Sequence, residues 1–225
     1  YDGRKREPVD LPIKFPVVLA QGAEGIAVGL ATRILAHNFC EILRASIDVL
    51  RNKPVVLLPD FPTGGMADCS NYNAGKKGSR VRVRAKIETQ NKTNLVIRNI
   101  PFGTTTSSVI DSIVKANDKG KIKIKKVTDN TAKEVEILIE LPPGVSPDVT
   151  IDALYAFTDC EVSIAPNCCV IVDNKPRFLG VDELLKISTD HTLHLLKLEL
   201  ESKLAHLLEK LHFASLEQIF IEKRI

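Results

Sequence analysis

The chain offers two groups of residues whose types and spacing could act on something outside it. The first lies between Gln21 and Thr32, where Gly22, Gly25 and Gly29 put three glycines into eight residues. That density is too high for an ordinary helix or strand, because glycine loses more backbone freedom on folding than any other residue. Glycine also reaches positive φ without steric cost and lets other backbones come close. A loop of this kind can hold one side chain out on a rigid platform. The candidate is Ile26, which is β-branched and stiff at χ1. An apolar tip of that sort can wedge between stacked bases. The ordinary alternative is an Ile26 packed inside a glycine-rich crossing, since isoleucine is among the most often buried residues.

The second group is Lys76, Lys77, Arg80, Arg82, Arg84 and Lys86, in eleven residues that contain no acid. From Ser79 to Ile87 basic and apolar residues alternate with period two, the pattern of a half-buried strand with one cationic face. Arg80, Arg82 and Arg84 would stand about 7 Å apart on one side. Such spacing suits contacts to backbone phosphates, which position a duplex without reading its sequence. The alternative is a solvated face of cross-strand ion pairs. For Lys121, Lys123 and Lys125, opposite Glu134, Glu136 and Glu140, that alternative is the better reading.

Other chemistries find little support. Gly22, Gly25 and Gly29 have the wrong spacing for a P-loop or a dinucleotide fingerprint. No nucleophile elbow and no tight carboxylate cluster for Mg²⁺ is visible. The five cysteines, with Cys168 and Cys169 adjacent and Cys40, Cys69 and Cys160 isolated, have no metal-type spacing. They read as reduced thiols of a cytosolic protein. His37, beside a helix cap, reads as a structural hydrogen-bonding residue. His191 and His194 are three apart, but without supporting ligands they read, with His206 and His212, as surface residues.

With 225 residues the chain can hold one large domain or two small ones, and 44% hydrophobic content allows a real core. The 31 basic and 28 acidic residues leave a formal charge of only +3, so any basic footprint must be local. No signal peptide is visible. The apolar run from Val17 to Ala31 carries Gln21 and Glu24 and is short for a membrane span, so no membrane association is expected.

The elements that must position these groups follow from periodicity. Pro8, Pro12 and Pro16 predict extended loop through residue 20. Asn38 caps a helix bearing Ile42, Leu43, Ile47 and Leu50, with Glu41 in capping-box position. Lys53 to Leu58 reads as a short strand, and Pro59 to Gly65 as a rigid boundary turn. Strands are predicted at 79–87, 95–100, 121–127, 134–141, 160–164 and 168–172. Helices are predicted after the Thr104–Ser108 run and after Ser146-Pro147. The expected fold class is therefore α+β, a mixed or antiparallel sheet with covering helices in a tower-like plait. From Thr189 on, Leu193, Leu196, Leu200, Leu204, Leu207 and Leu211 are spaced three, four, four, three and four apart, the seam of a coiled-coil arm. Three units are expected: 1–60 around the glycine loop, 61–180 as the α+β tower, and 181–225 as the start of the arm.

Gly25-Ile26-Ala27-Val28-Gly29 with Ala31-Thr32 and His37-Asn38, Tyr1-Asp2-Gly3, the Pro12-to-Pro16 stretch, Pro59-Asp60-Phe61-Pro62-Thr63-Gly64-Gly65 and Asn99-Ile100-Pro101-Phe102 together resemble one family. It is the breakage-reunion subunit of bacterial type IIA DNA topoisomerases. The likeness is strongest up to Gly65 and is nearest to the topoisomerase IV branch, with the gyrase branch next. It implies that Ile26 inserts between base pairs and bends the DNA to be cut. It further implies ATP-dependent strand passage by an A subunit that dimerises and pairs with an ATPase B subunit. Mg²⁺ and ATP would be held by that partner, in a cytoplasmic bacterial enzyme. The family's nucleophilic tyrosine lies upstream of the block matching Tyr1, so the chain reads as a fragment without catalytic residues of its own. The candidate contacts to DNA are Ile26, Lys76, Lys77, Arg80, Arg82 and Arg84.

A second class remains open, an interaction module whose coiled-coil arm binds a partner while the sheet spaces it. A single-strand RNA binder fits less well, because only 5% of residues are aromatic and the basic strands carry none for bases to stack on.

Overall fold

The computed structural model describes Gly3, Glu7, Pro8 and residues 11–224. Tyr1 and Asp2 of the first family block lie outside the described residues. The N-terminal segment is not all loop. Val17–Gln21 forms a short helix, α1, directly after Pro16. Proline is harmless ahead of a first helical turn, where its missing N–H has no partner to lose. The fully buried Leu19 holds this turn in the core.

The glycine-rich stretch is a β-hairpin rather than a loop. Strand β1 (Ala23–Ala27) pairs antiparallel with β2 (Leu30–Ile34), with Ala27 opposite Leu30 across a two-residue turn. The three glycines do different jobs. Gly29 turns the chain at φ +78°, and Gly22 enters the hairpin at φ +74°. A Cβ on Gly22 would lie 2.7 Å from the carbonyl oxygen of Ile34. Gly25 has no such demand, since its Cβ would meet only Thr32 Cγ2 at 3.7 Å. It is a tolerated weakness inside a strand, and this is why glycine density misleads here.

Asn38 accepts hydrogen bonds from the backbone N–H groups of Cys40 and Glu41 at 3.0 and 3.3 Å and starts α2 (Phe39–Leu50). Lys53 to Leu58 forms no strand, and pairing begins only at Pro59, in an isolated bridge to His37. The single strand expected from Ser79 to Ile87 is two strands of two sheets. β4 (Val81–Arg84) lies between β3 (Met66–Asp68) and β9 (Glu161–Ile164), all antiparallel. After Ala85 the chain crosses into β5 (Lys86–Asn91), the edge of a second sheet. That sheet has the order β5, β6 (Asn94–Asn99), β8 (Ile137–Glu140), β7 (Lys126–Asp129), again antiparallel. Lys121 to Lys125 precede β7 as irregular backbone, because the buried Ile122 packs under α3 rather than extending the ladder.

Two helices cover the apolar face of the second sheet. Helix α3 (Thr106–Asp118) begins at a reciprocal capping box between Thr105 and Ser108. Helix α4 (Pro147–Phe157) has proline at its first position. Their inward residues Val109, Ile113 and Leu154 meet Leu95, Ile97, Ile137 and Ile139, all fully buried. Each such side chain contributes about 1.5–3 kcal/mol on leaving water. After β9 a second hairpin, β10 (Cys169–Val172) and β11 (Lys175–Phe178), turns through Asp173 and Asn174, both at positive φ. β11 was not expected, and Asp-Asn is the turn chemistry that could have shown it. Helix α5 (Val181–Lys223) is 43 residues long, about 65 Å at 1.5 Å per residue.

The architecture is therefore α+β, with antiparallel sheets, covering helices and a long C-terminal helix. Its buried residues fall into two clusters. One joins Leu19, Ile34, Ile42, Phe61, Tyr72, Val81, Val83, Ile164, Val181 and Leu185. The other runs from Ala85 to Cys160. The chain passes between them at Arg84/Ala85 and at Cys160/Glu161. All five cysteines are free.

The glycine analysis has a direct outcome. Gly22→Ala should destabilise the fold by about 1–3 kcal/mol, the scale of a forced positive-φ residue. Gly25→Ala should be close to neutral. Thermal or denaturant unfolding of the two variants side by side checks this.

Candidate nucleic-acid interface

The hairpin β1–β2 is fastened at its base and bare at its tip. At the base, Arg33 and Asn167 exchange backbone hydrogen bonds at 2.8 and 2.9 Å. The Asn167 side-chain amide donates to the Ala31 carbonyl at 2.7 Å. Thr32 Oγ1 donates to the Asn167 carbonyl at 3.3 Å. Asn167 was missed by the sequence reading, and no local signal marks it, because its partners lie about 135 residues away. At the tip, Ile26 is 92% exposed and Val28 is fully exposed. Ile34 at the other end of the ladder is buried. The second hairpin lies alongside and adds the exposed Ile171. Between the hairpins is an apolar pocket of about 340 Å³ lined by residues that include Ile26, Leu30, Val170 and Pro176.

Beneath the hairpin sits His37, the one buried imidazole among the described residues. Its Nδ1 lies 3.1 Å from the Leu19 carbonyl oxygen and its Nε2 lies 2.9 Å from the Tyr72 hydroxyl. A carbonyl can only accept, so Nδ1 carries the proton and Nε2 accepts from the Tyr72 O–H. Burial lowers the His37 pKa, against opposing hydrogen bonds to the Leu19 and Leu35 backbone and the charge of Asp60. Burial likewise raises the Tyr72 phenol well above its ordinary range.

The basic residues separate into engaged and unengaged groups. Arg80, Arg82 and Arg84 do share an exposed face while Val81 and Val83 are buried. Arg82, however, pairs with Asp68 at 2.6 Å, and Arg84 pairs with Glu161 at 2.5 Å. The Arg84 guanidinium also lies 4.9 Å from the Tyr155 ring centre. Hydrogen bonds from Ser70, side chain first and then backbone, and from Arg82 hold Asp68 far below the usual carboxylate range. Lys76 reaches Glu183 at 3.2 Å. Lys77 and Arg80 make no ion pair among the described residues. They line a polar pocket of about 540 Å³ together with Ser70, Asn71, Asn73 and Ser79. On the second sheet, Lys125 faces Glu140 at 3.6 Å and Arg98 bonds Glu136 at 2.5 Å, an ordinary laced surface.

Neither internal tyrosine is placed as a nucleophile. Tyr72 is buried against His37, and the Tyr155 hydroxyl donates to the Ala85 carbonyl at 2.9 Å. Among the described residues no group of three or more His, Cys, Asp and Glu could hold a metal ion. No described helix is long and apolar enough to cross a membrane.

The described chain thus combines an exposed apolar hairpin tip, two cations without an ion pair among the described residues, an α+β body and a long C-terminal helix. The family of DNA gyrase/topoisomerase IV A subunits matches residues 1–224. The DNA topoisomerase 4 A subunit of Borreliella burgdorferi is 46% identical over 221 residues, covering 98% of this chain and 35% of that protein. The DNA gyrase A subunit of Lawsonia intracellularis is 37% identical over 208 residues, 85% of this chain and 25% of that protein. The DNA gyrase A subunit of Chlamydia trachomatis is 32% identical over 234 residues, 93% of this chain and 28% of that protein. The chain belongs to the gyrase/topoisomerase IV A-subunit family. It spans about a third or less of the length of these relatives.

The lowered pKa of His37 makes stability pH-dependent with a definite sign. Between its folded pKa and the ordinary value near 6.5, the unfolded chain binds the extra proton and the folded chain does not. Stability therefore rises with pH through that window and is lost as pH falls below the ordinary imidazole value. Thermal melting from about pH 8 to about pH 5 should show Tm falling on the acid side. In His37→Gln, which starts less stable, that part of the fall should be absent.

Proposed function

We propose that the chain is the part of a type IIA topoisomerase A subunit that supports and bends the double-stranded DNA to be cut. The enzyme would perform ATP-dependent strand passage, relaxing or decatenating DNA. The observation that carries this reading is the exposure of Ile26, at 92%, on a hairpin whose base is hydrogen-bonded to the body. Ile26 is the wedge, with Val28 beside it at the tip. Lys77 and Arg80 contact backbone phosphates, and Lys76, Arg82 and Arg84 join only by exchanging their carboxylate partners. Exposed ion pairs are worth at most about 1 kcal/mol, so such an exchange costs little.

Opening a base step costs a few kcal/mol. Burying one isoleucine recovers about 1.5–3 kcal/mol. The wedge therefore needs phosphate contacts to hold the bent duplex, and the two groups act together. Residues 1–60 belong to the gate, 61–180 to the tower and 181–225 to the root of a coiled-coil arm. The exposed seam from Leu193 to Leu211 supports that last assignment. The higher identity to the topoisomerase IV relative favours that branch over gyrase. The partners are duplex DNA, an ATPase B subunit that brings Mg²⁺ and ATP, and a second copy of the same chain, in the bacterial cytoplasm. Cleavage would require a nucleophile that this chain does not supply.

In the full-length holoenzyme, Ile26→Ala should reduce DNA bending and cleavage while leaving the melting temperature unchanged. Energy transfer between the ends of a labelled duplex reads the bend, and unaltered bending would refute the wedge.

Lys77→Ala with Arg80→Ala should flatten the dependence of log affinity on log salt by about 2, near 0.9 per lost phosphate contact. Arg82→Ala should change that slope less. A chain acting only as a protein-interaction module would show no salt-dependent duplex binding at all.

A further inference from the structure

We infer that His37 and Tyr72 are positioning residues that fix the attitude of the Ile26 hairpin relative to the root of the α5 arm. The inference rests on the wedge reading above. His37 lies three residues beyond the end of β2, so its position sets where the hairpin leaves the body. Its backbone N–H and its Nδ1–H both point at the Leu19 carbonyl, at 2.9 and 3.1 Å. Leu19 belongs to α1, which leads directly into the hairpin through Gly22. One imidazole thus ties the entry and the exit of the hairpin together.

The other side of the ring reaches away from the hairpin. Nε2 accepts from Tyr72, which is 2% exposed. Tyr72 and the start of α5 flank Gly75 within one buried cluster: a Cβ on Gly75 would lie 3.2 Å from the Tyr72 hydroxyl oxygen and 3.3 Å from Val181 Cγ2. Val181 is the first residue of α5. The hydrogen-bonded series Leu19, His37, Tyr72 thus runs from the wedge hairpin into the buried cluster that holds Val181. A leucine and a phenylalanine could fill the same space without polar atoms to satisfy. Buried polar groups are costly unless hydrogen-bonded, and a satisfied pair adds direction that apolar packing lacks. Direction matters here, because a wedge that tilts under load releases the base step.

The joint works only with neutral His37. The groups facing it are the Tyr72 hydroxyl, the carbonyls of Leu19 and Leu35, and the Asp60 charge from the segment after α2. A proton on Nε2 would take away the acceptor that orients the Tyr72 O–H.

The test is a double-variant cycle in the full-length holoenzyme, read by end-to-end energy transfer on a labelled duplex and by duplex affinity. Tyr72→Phe keeps the ring and removes the donor. It should lower the ratio of bent to straight duplex about fivefold, the scale of one buried hydrogen bond. Affinity should stay within about twofold, because phosphate contacts dominate it. The double variant Ile26→Ala/Tyr72→Phe should bend no less than Ile26→Ala alone. Wild-type bending should hold at the ordinary imidazole pKa and decline only as pH falls through the lowered value of the folded protein, and His37→Gln should be flat across that range. If Tyr72→Phe melts below the assay temperature, His37→Gln carries the same cycle. If Ile26→Ala reduces bending but Tyr72→Phe does not, the joint is refuted and the wedge stands. Effects that multiply in the double variant would reduce the pair to general stability and overturn the inference. No effect of Ile26→Ala would remove the wedge and the joint with it.

Discussion

A short antiparallel ladder must keep an isoleucine in water. Everything around it answers that constraint. Left free, an apolar side chain at a chain reversal would fold back onto the nearest core, because burial is worth more than the entropy of holding it out. Five cross-strand pairs from Ala23/Ile34 to Ala27/Leu30 prevent this by setting the direction of the strand. The ladder is itself too short to stand alone, since isolated two-stranded hairpins are marginal in water. It is held by Asn167 on one side and by the turn at Gly22 below. The exposed tip is thus sustained from the base, by these polar contacts together with the burial of Ile34.

The same restraint governs charge. A formal charge of +3 is too small for a body that binds duplex by its overall field. The basic run near β4 is more neutral than it reads, since Asp68 and Glu161 come to it from other strands. Arg84 is the clearest case. It is bonded to Glu161 and lies over Tyr155 at the point where the chain leaves one core for the other. Its work is to brace that crossing. Lys77 and Arg80 sit in the loop just before, where no strand brings an acid opposite them.

Much of the fold was legible because its signals are local. Asn38, the Thr105 and Ser108 caps, Ser146-Pro147 and the leucine seam each act within one helical turn. The alternation from Ser79 to Ile87 was read correctly as to face and wrongly as to continuity. Period two reports which side is buried, and it is silent on which strand lies alongside. The hairpin was misread as a loop because Gly25 was given the same weight as Gly22 and Gly29. Only the last two have backbone angles that a side chain would strain. Of the candidate site, the exposure of Ile26 and of the basic face could be raised from the sequence. The sorting of those residues by partner could not, because Asp68, Glu161 and Glu183 approach through tertiary contacts of 14, 77 and 107 residues' separation.

The two cores hold different parts of the chain. The first carries the base of the β1–β2 hairpin, His37 and the start of α5, so the hairpin and the arm share one packed body. The second is an inserted unit from Ala85 to Cys160, closed on its own helices and laced with ion pairs on its outer face. A packed interior transmits displacement because it has few voids to absorb it. The first core also touches the inserted unit directly, since Phe102 packs against it with its ring 4.8 Å from that of Phe61, and the Asn99 side-chain amide donates to the Thr63 carbonyl at 3.1 Å. The two crossings, at Arg84 and Glu161, are held by one ion pair, one cation–π contact and the hydrogen bond from Tyr155 to Ala85. The hairpin and the root of α5 share one buried cluster, and the inserted unit joins that cluster through the crossings and the Phe61–Phe102 stack.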